Sequence, residues 1–327
     1  MSKNIKNIAV LTSGGDSPGM NACVRAVARA AIFENVSVFG VIDGFNGLID
    51  DNFIELKYHT VSNIISRGGT ILGTERSPRF LEKSFRQQAF NNLKKKEIDA
   101  IVVIGGDGSY KGMKALGDEF GIDFIGIPGT IDNDIYGSNY SIGFDTALNN
   151  IIEAVDKIRD TAASHHRIFL VEVMGNTSGV LALNSAIASG AEDVFIPERK
   201  EDLMIFENKI KAALKAKKSS IIIVSEGDQL GGAKELYHYL AEKDLQHKVR
   251  VSVLGHLQRG GAPSFKDRMM ATQFGARAVD MILNGNVNQL IGTKAGEIYA
   301  YSIQENTTKK LPKDMGALSL VKKLSVY

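Results

Sequence analysis

The chain has 327 residues, is 44% hydrophobic and carries a formal net charge of only +2, which allows a large core and argues against a nucleic-acid partner. Glycine is abundant at 33 residues, proline numbers 6 and tryptophan is absent, a balance that suits glycines in strand-to-helix turns and excludes a collagenous or disordered chain. One cysteine, Cys23, excludes an internal disulfide and fits a reducing compartment; no signal peptide or membrane-length apolar run is visible, so a soluble, cytoplasmic protein is expected.

Short apolar, β-branched runs recur along the chain and stop abruptly at glycine or a polar residue. Ile8–Leu11 runs into Thr12-Ser13-Gly14-Gly15-Asp16. Ile101–Ile104 runs into Gly105-Gly106-Asp107-Gly108-Ser109, and Phe124–Ile127 reaches Pro128-Gly129-Thr130-Ile131-Asp132-Asn133-Asp134. Ile168–Val173 precedes Met174-Gly175, Ile221–Val224 precedes Ser225-Glu226-Gly227, and Val249–Leu254 precedes Gly255-His256. Helical stretches lie between them, such as Ala147–Arg159 with Ile151, Ile152, Val155 and Ile158 on one face. Apolar strands alternating with helices predict parallel sheets covered on both faces, with ligands at the carboxyl ends of the strands. Cys23 reads as a plain buried cysteine, and the runs Lys94-Lys95-Lys96 and Lys217-Lys218 as solvated helix ends.

The strand-end clusters imply phosphate chemistry. Glycine lets a backbone approach an anion closely, and a following helix N-terminus favours it. An aspartate there repels phosphate directly but suits a Mg²⁺ that bridges phosphate oxygens, so Gly106-Asp107-Gly108-Ser109 reads as a nucleotide–Mg²⁺ segment. No P-loop, dinucleotide or protein-kinase signature is present. Thr130 and Asp132 are expected on one side of an extended segment, where the Asp132 carboxylate can take a proton from an attacking hydroxyl. Asp134 reads equally well as a turn residue or cap. Arg76, Arg167, Arg250, His256 and Arg259, all near strand ends, suggest a second phosphate site.

These segments, with Arg67-Gly68-Gly69-Thr70, Val171–Gly175 and Gly255–Gly261, stand in the order found in the bacterial ATP-dependent 6-phosphofructokinases, which the chain closely resembles. The resemblance implies two Rossmann-like three-layer α/β/α lobes with mainly parallel sheets and an active site in the cleft between them. A larger ATP lobe would comprise 1–142 and 257–305, and a smaller fructose 6-phosphate lobe 143–256 and 306–327. It implies transfer of the γ-phosphoryl of ATP to the 1-hydroxyl of fructose 6-phosphate, with Asp132 as base and Thr130 and Arg76 beside it. Gly15, Arg76, Ser77, Gly106, Asp107, Gly108 and Ser109 would surround the nucleotide, Asp107 serving Mg²⁺. Thr130, Ile131, Asp132, Met174, Gly175, Asn176, Glu226, His256 and Arg259 would bind the sugar phosphate, joined by Arg167 and Arg250 from a neighbouring subunit of a homotetramer. An effector site for ADP or phosphoenolpyruvate would use Arg25, Arg29, Arg159, Gly190, Glu192 and Lys217.

Departures from the family pattern are visible too. Asn176 stands where the family has arginine, Tyr58 (beside His59) where an effector-binding arginine is expected, and Glu198–Asp202 looks shortened. Pyrophosphate-dependent relatives typically carry Asp and Lys where this chain has Gly108 and Gly129, which favours ATP. The alternatives are a pyrophosphate-dependent enzyme and a catalytically weak, metabolite-binding paralogue.

Overall fold

The computed structural model describes residues 5–200, 202–308 and 315–324. The strands are β1 (Asn7–Ser13), β2 (Ser37–Val41), β3 (Phe53–Glu55), β4 (Ala100–Gly105), β5 (Asp123–Pro128), β6 (Ile168–Val173), β7 (Asp193–Phe195), β8 (Ser220–Ser225), β9 (Val249–Val253), β10 (Gln289–Lys294) and β11 (Glu297–Ser302). The helices are α1 (Met20–Phe33), α2 (Phe45–Ile49), α3 (Lys83–Lys95), α4 (Asp107–Phe120), α5 (Phe144–His165), α6 (Val180–Ser189), α7 (Leu203–Lys215), α8 (Ala233–Glu242), α9 (Phe265–Leu283), α10 (Ile303–Thr308) and α11 (Met315–Leu324). They form two compact units. One comprises the described residues within Met1–Ile131, Ile135–Thr146 and Arg259–Leu311, the other those within Asp132–Asp134, Ala147–Gln258 and Pro312–Tyr327.

The first unit is built on a seven-stranded sheet of order β11-β10-β5-β4-β1-β2-β3. Its five central strands are parallel, while β3 and β11 are antiparallel additions at the edges. Apolar residues on both faces of β1 explain the uninterrupted run. Ile8 and Val10 join a core with α1 and α9, whereas Ala9 and Leu11 join another with Phe45, Leu93 and Met113 of α2, α3 and α4. Cys23 belongs to the first core, and burial pushes its thiol far above the usual range. The lysine run closes α3, where Lys95 and Lys96 both pair with Asp51.

The second unit has a four-stranded, wholly parallel sheet of order β7-β8-β6-β9. Phe206 and Ile210 of α7 and Leu236 and Leu240 of α8 pack with Ile168, Leu170, Ile222 and Val224 on one face. α6 packs on β8, and α11 packs in turn on α6. Both units are therefore α/β with mainly parallel sheets.

The base of the β5–α5 connection is fixed within the first unit by one buried carboxylate. Asp267, fully buried at the start of α9, accepts the Gly143 N–H at 2.9 Å, the Thr146 N–H at 2.8 Å and the Thr146 hydroxyl. Burial pushes this carboxyl up, and the three donors pull it back only in part. Asp267→Ala would strand buried donors, so the variant should unfold about 2–4 kcal/mol more easily in urea than the wild type. An unchanged midpoint would show that this clamp contributes nothing.

Candidate active site

In the first sheet the chain leaves β1 in one direction to β2 and later returns on its other side with β4 and β5. The order reverses between β1 and β4, and ligands of open α/β sheets bind outside the carboxyl ends at such a point. The two Gly-Gly-Asp segments occupy it. Ser13 at the end of β1 registers with Gly105 at the end of β4, and Gly105 carries no side chain because there is no space for one. A Cβ there would lie 2.5 Å from Ser109 Oγ and 2.6 Å from Ser13 O. The Ser109 hydroxyl instead donates to Ser13 O at 3.3 Å, and Gly129 N–H donates to Gly105 O at 3.0 Å. Three strand ends are thus drawn together.

α4 begins immediately, at Asp107, so its first amides face the same strand ends with nothing within 4 Å of a Cβ at Gly106 or Gly108. Helix N-terminal N–H groups in open space are a natural anion cradle. The Asp107 carboxylate is partly exposed and pairs with Lys111 at 2.5 Å. Exposed pairs of this kind are weak and exchange readily with a divalent ion.

The glycine-rich segment after β1 is backed by a second layer. Thr74 Oγ1 donates to Gly14 O at 2.9 Å and Thr12 Oγ1 to Gly73 O at 2.7 Å, tying it to the loop that carries Arg76 and Ser77. Ser77 Oγ donates to Asn46 Oδ1 at 2.6 Å, while Arg76 is exposed. Arg259 donates to Asp16 O at 2.8 Å, and its guanidinium lies where a Cβ on Gly15 would be. Within this unit Arg259 therefore belongs to the first glycine loop.

The segment after β5 departs from the expected geometry. Thr130 is anchored by the Ser141 hydroxyl, which donates to its carbonyl at 2.6 Å, and Gly129 bridges Ile142. Ile131 and Asp132 then enter a turn and Asn133 adopts φ 49°. The segment is not extended through Asp132, because Asn tolerates the left-handed conformation that a turn requires. Asp132 and Asp134 are half-buried. Gly129 changes meaning as well: a Cβ there would point into the core, 2.9 Å from Ile104 Cγ2 and 3.2 Å from Met20 Cε. The donor distinction made from sequence thus falls on Gly108, where there is open space.

In the second unit β6, β8 and β9 end side by side and present Met174-Gly175-Asn176, Glu226 and Gly255-His256. Gly175 has φ 142°, and a side chain on it would collide with the Ser178 carbonyl. Asn176 has φ 51° and donates its N–H to Glu226 Oε1 at 2.9 Å. Asparagine enters that region more easily than arginine, which gives the departure at 176 a backbone rationale. His256 and Glu226 are exposed. Arg167, half-buried, directly precedes β6. Arg250 lies on edge strand β9, donates to Val249 O at 2.7 Å, and lines a groove with Lys234, Tyr237 and His238.

The six predicted effector residues separate into two groups. Arg25 and Arg29 lie in the first unit, and the Arg29 guanidinium sits 4.1 Å over the Tyr58 ring. Burial, then the neighbouring Arg29 charge, pulls Arg25 below the usual guanidinium range. In the second unit Arg159 donates to Ser189 O at 2.8 Å and Gly190 O at 3.0 Å and pairs with Glu192 at 3.4 Å, while Lys217 is exposed after α7.

Known proteins resemble this chain in sequence and in fold. The family profile described as Phosphofructokinase matches residues 7–282. The chain belongs to the phosphofructokinase family. It is 47% identical to ATP-dependent 6-phosphofructokinase 2 of Bacteroides thetaiotaomicron, over 98% of this chain and 99% of that protein. It is 50% identical to the ATP-dependent 6-phosphofructokinase of Staphylococcus epidermidis, over 91% and 95%. Among solved structures, Pichia pastoris phosphofructokinase in the T-state superposes with TM-score 0.85 at 38% identity, covering 93% of this chain but only 35% of the yeast chain. A pyrophosphate-dependent phosphofructokinase from Marinobacter aquaeolei shares the fold, with TM-score 0.83 at 21% identity, so the family fold does not itself select the donor. Among the described residues no helix is long and apolar enough to cross a membrane, and no group of three or more His, Cys, Asp or Glu could hold a metal by itself.

Two glycine substitutions separate fold from ligand at this site. Gly105→Ala should cost roughly 1–3 kcal/mol of stability, the usual penalty of overpacking. Gly108→Ala, in open space near the start of α4, should keep or slightly raise stability while weakening ATP binding at least about tenfold. Thermal melts and equilibrium nucleotide titration read the two effects. Unchanged ATP affinity in Gly108→Ala would remove this position from the nucleotide site.

Proposed function

We propose that the chain transfers the γ-phosphoryl group of ATP to the 1-hydroxyl of fructose 6-phosphate. The reading is carried by the open helix N-terminus of α4 at the β1/β4 switch point, in a chain with near-full-length likeness to ATP-dependent 6-phosphofructokinases.

In this reading the nucleotide phosphates would lie on the amides of Gly106–Ser109, where there is open space, with Gly15 and Arg76 alongside and Ser77 held by Asn46. A single, partly exposed carboxylate flanked by the open positions Gly106 and Gly108 fits a Mg²⁺ that would keep waters and take other ligands from phosphate oxygens. Asp107 would hold it. Bound there, the ion neutralises charge on the transferring group. The sugar phosphate is assigned to Met174, Gly175, Asn176, Glu226 and His256, with Thr130, Ile131 and Asp132 at the reacting hydroxyl and Arg259 among the binding groups. Asp132 takes the proton of the 1-hydroxyl as that oxygen bonds to the γ-phosphorus. The bond to the β–γ bridging oxygen breaks and its electrons leave on ADP.

Arg250, on an edge strand beside a groove, and Arg167 are assigned to a neighbouring copy's sugar-phosphate site in a homotetramer. In the effector reading, Arg25 and Arg29 attract an anionic ligand such as ADP or phosphoenolpyruvate. Tyr58 supplies a stacking face in place of a further cation. Arg159, already engaged by Ser189, Gly190 and Glu192, and Lys217, exposed after α7, are further effector candidates in the second unit.

Purified protein with fructose 6-phosphate and Mg²⁺ should turn over with ATP and not with pyrophosphate. Turnover with pyrophosphate alone would contradict the donor, and none with either would contradict the enzyme reading. Asp132→Ser should lower kcat by at least about 10²-fold and leave fructose 6-phosphate binding within a few-fold. A kcat close to wild type would show that another group takes the proton.

A further inference from the structure

Gln258 is a polar side chain with no exposure to solvent, standing between the exposed residues His256 and Leu257 on one side and Arg259 on the other. Its amide oxygen accepts the Met174 N–H at 3.1 Å, and its amide nitrogen donates to the Gly255 carbonyl at 2.9 Å. One partner can only donate and the other can only accept, so the orientation of the amide is fixed by chemistry. The Gln258 carbonyl also receives the Asn150 side-chain amide of α5 at 3.4 Å. Buried polar groups of this kind are costly unless satisfied on every side, and satisfied they specify one arrangement.

The two backbone groups it joins belong to the turns that follow β6 and β9. Met174 opens the segment whose geometry is set by Gly175 and by the Asn176–Glu226 hydrogen bond, and Gly255, at φ 51°, opens the turn that carries His256. We propose that Gln258 is a positioning residue: it locks these two turns into one body, so that the groups assigned to the sugar phosphate on each are set before the ligand arrives. The inference rests on the proposed function for the identity of that ligand, but the locking itself does not. Preorganisation of this kind lowers the cost of ordering loops on binding. Both partners of the Gln258 side chain lie in the second unit and Gly106–Ser109 in the first, so the effect should be confined to the sugar phosphate.

The test uses Gln258→Met, which keeps length and removes both hydrogen bonds, and Gln258→Glu, which keeps the acceptor for Met174 but loses the donor to Gly255. In steady-state assays both variants should raise KM for fructose 6-phosphate at least about tenfold while KM for ATP stays within about twofold. Equal changes in both KM values, or an unchanged KM for fructose 6-phosphate, would overturn the proposal. Amide hydrogen exchange of the ligand-free variants gives a second readout that needs no turnover. Gln258→Met should speed exchange in both the Met174–Asn176 and Gly255–Arg259 segments and leave Gly105–Ser109 unchanged. Acceleration in neither segment, or across the whole second unit, would also overturn it. If the wild type fails to turn over, the functional reading falls, and the exchange result alone decides the role of Gln258.

Discussion

The close approach of the β1 and β4 strand ends governs the layout of the first unit. Ser13 and Gly105 are register partners, Ser109 folds back onto the Ser13 carbonyl, and Gly129 hangs from the Gly105 carbonyl. A methyl group at 105 would collide with both Ser109 and the Ser13 carbonyl. Because the strand ends meet so tightly, α4 can start at Asp107 with its first amides aimed at the switch point, and its glycines leave that space empty. The start of α4 at Asp107, and with it the place of that carboxylate, follows from that one contact.

The second unit solves a similar problem with side chains. Gln258 spans two of its strand-end turns and Glu226 receives the Asn176 amide, while Gly227, like Gly105, leaves no space for a Cβ, which would meet the Asn176 carbonyl. The neighbouring loop before α8 follows the same logic, since buried Asp228 accepts the N–H groups of Gly231 and Gly232. Glycine supplies the sharp backbone paths, and buried polar side chains then hold them in place.

Much of this was legible in the sequence. The apolar runs after Ile8, Ile101, Phe124, Ile168, Ile221 and Val249 mark six strands whose ends carry the candidate residues, because a strand buried on both faces has no polar interruptions. The short or edge strands β2, β3, β7, β10 and β11 are less visible, since antiparallel edges and brief strands lack that uniform pattern. The turn at Ile131–Asp132 escaped the period-two reading because the left-handed Asn133 breaks it. Gln258 and Asp267 gave no signal, because the bonds that give them a role run to Met174, Gly143 and Thr146, far away in sequence, and contact alone reveals them. Gly129 was read as lacking a cation, whereas its missing side chain concerns the packing of Met20 and Ile104.

The central claim is that the β1/β4 strand ends hold the donor nucleotide. A crystal structure of the protein with Mg²⁺, a non-hydrolysable ATP analogue and fructose 6-phosphate tests it most directly. The account predicts the β- and γ-phosphates within hydrogen-bonding distance of the amides of Gly106–Ser109, with the metal on the Asp107 side. Phosphates bound elsewhere, with those amides facing only solvent, would contradict it.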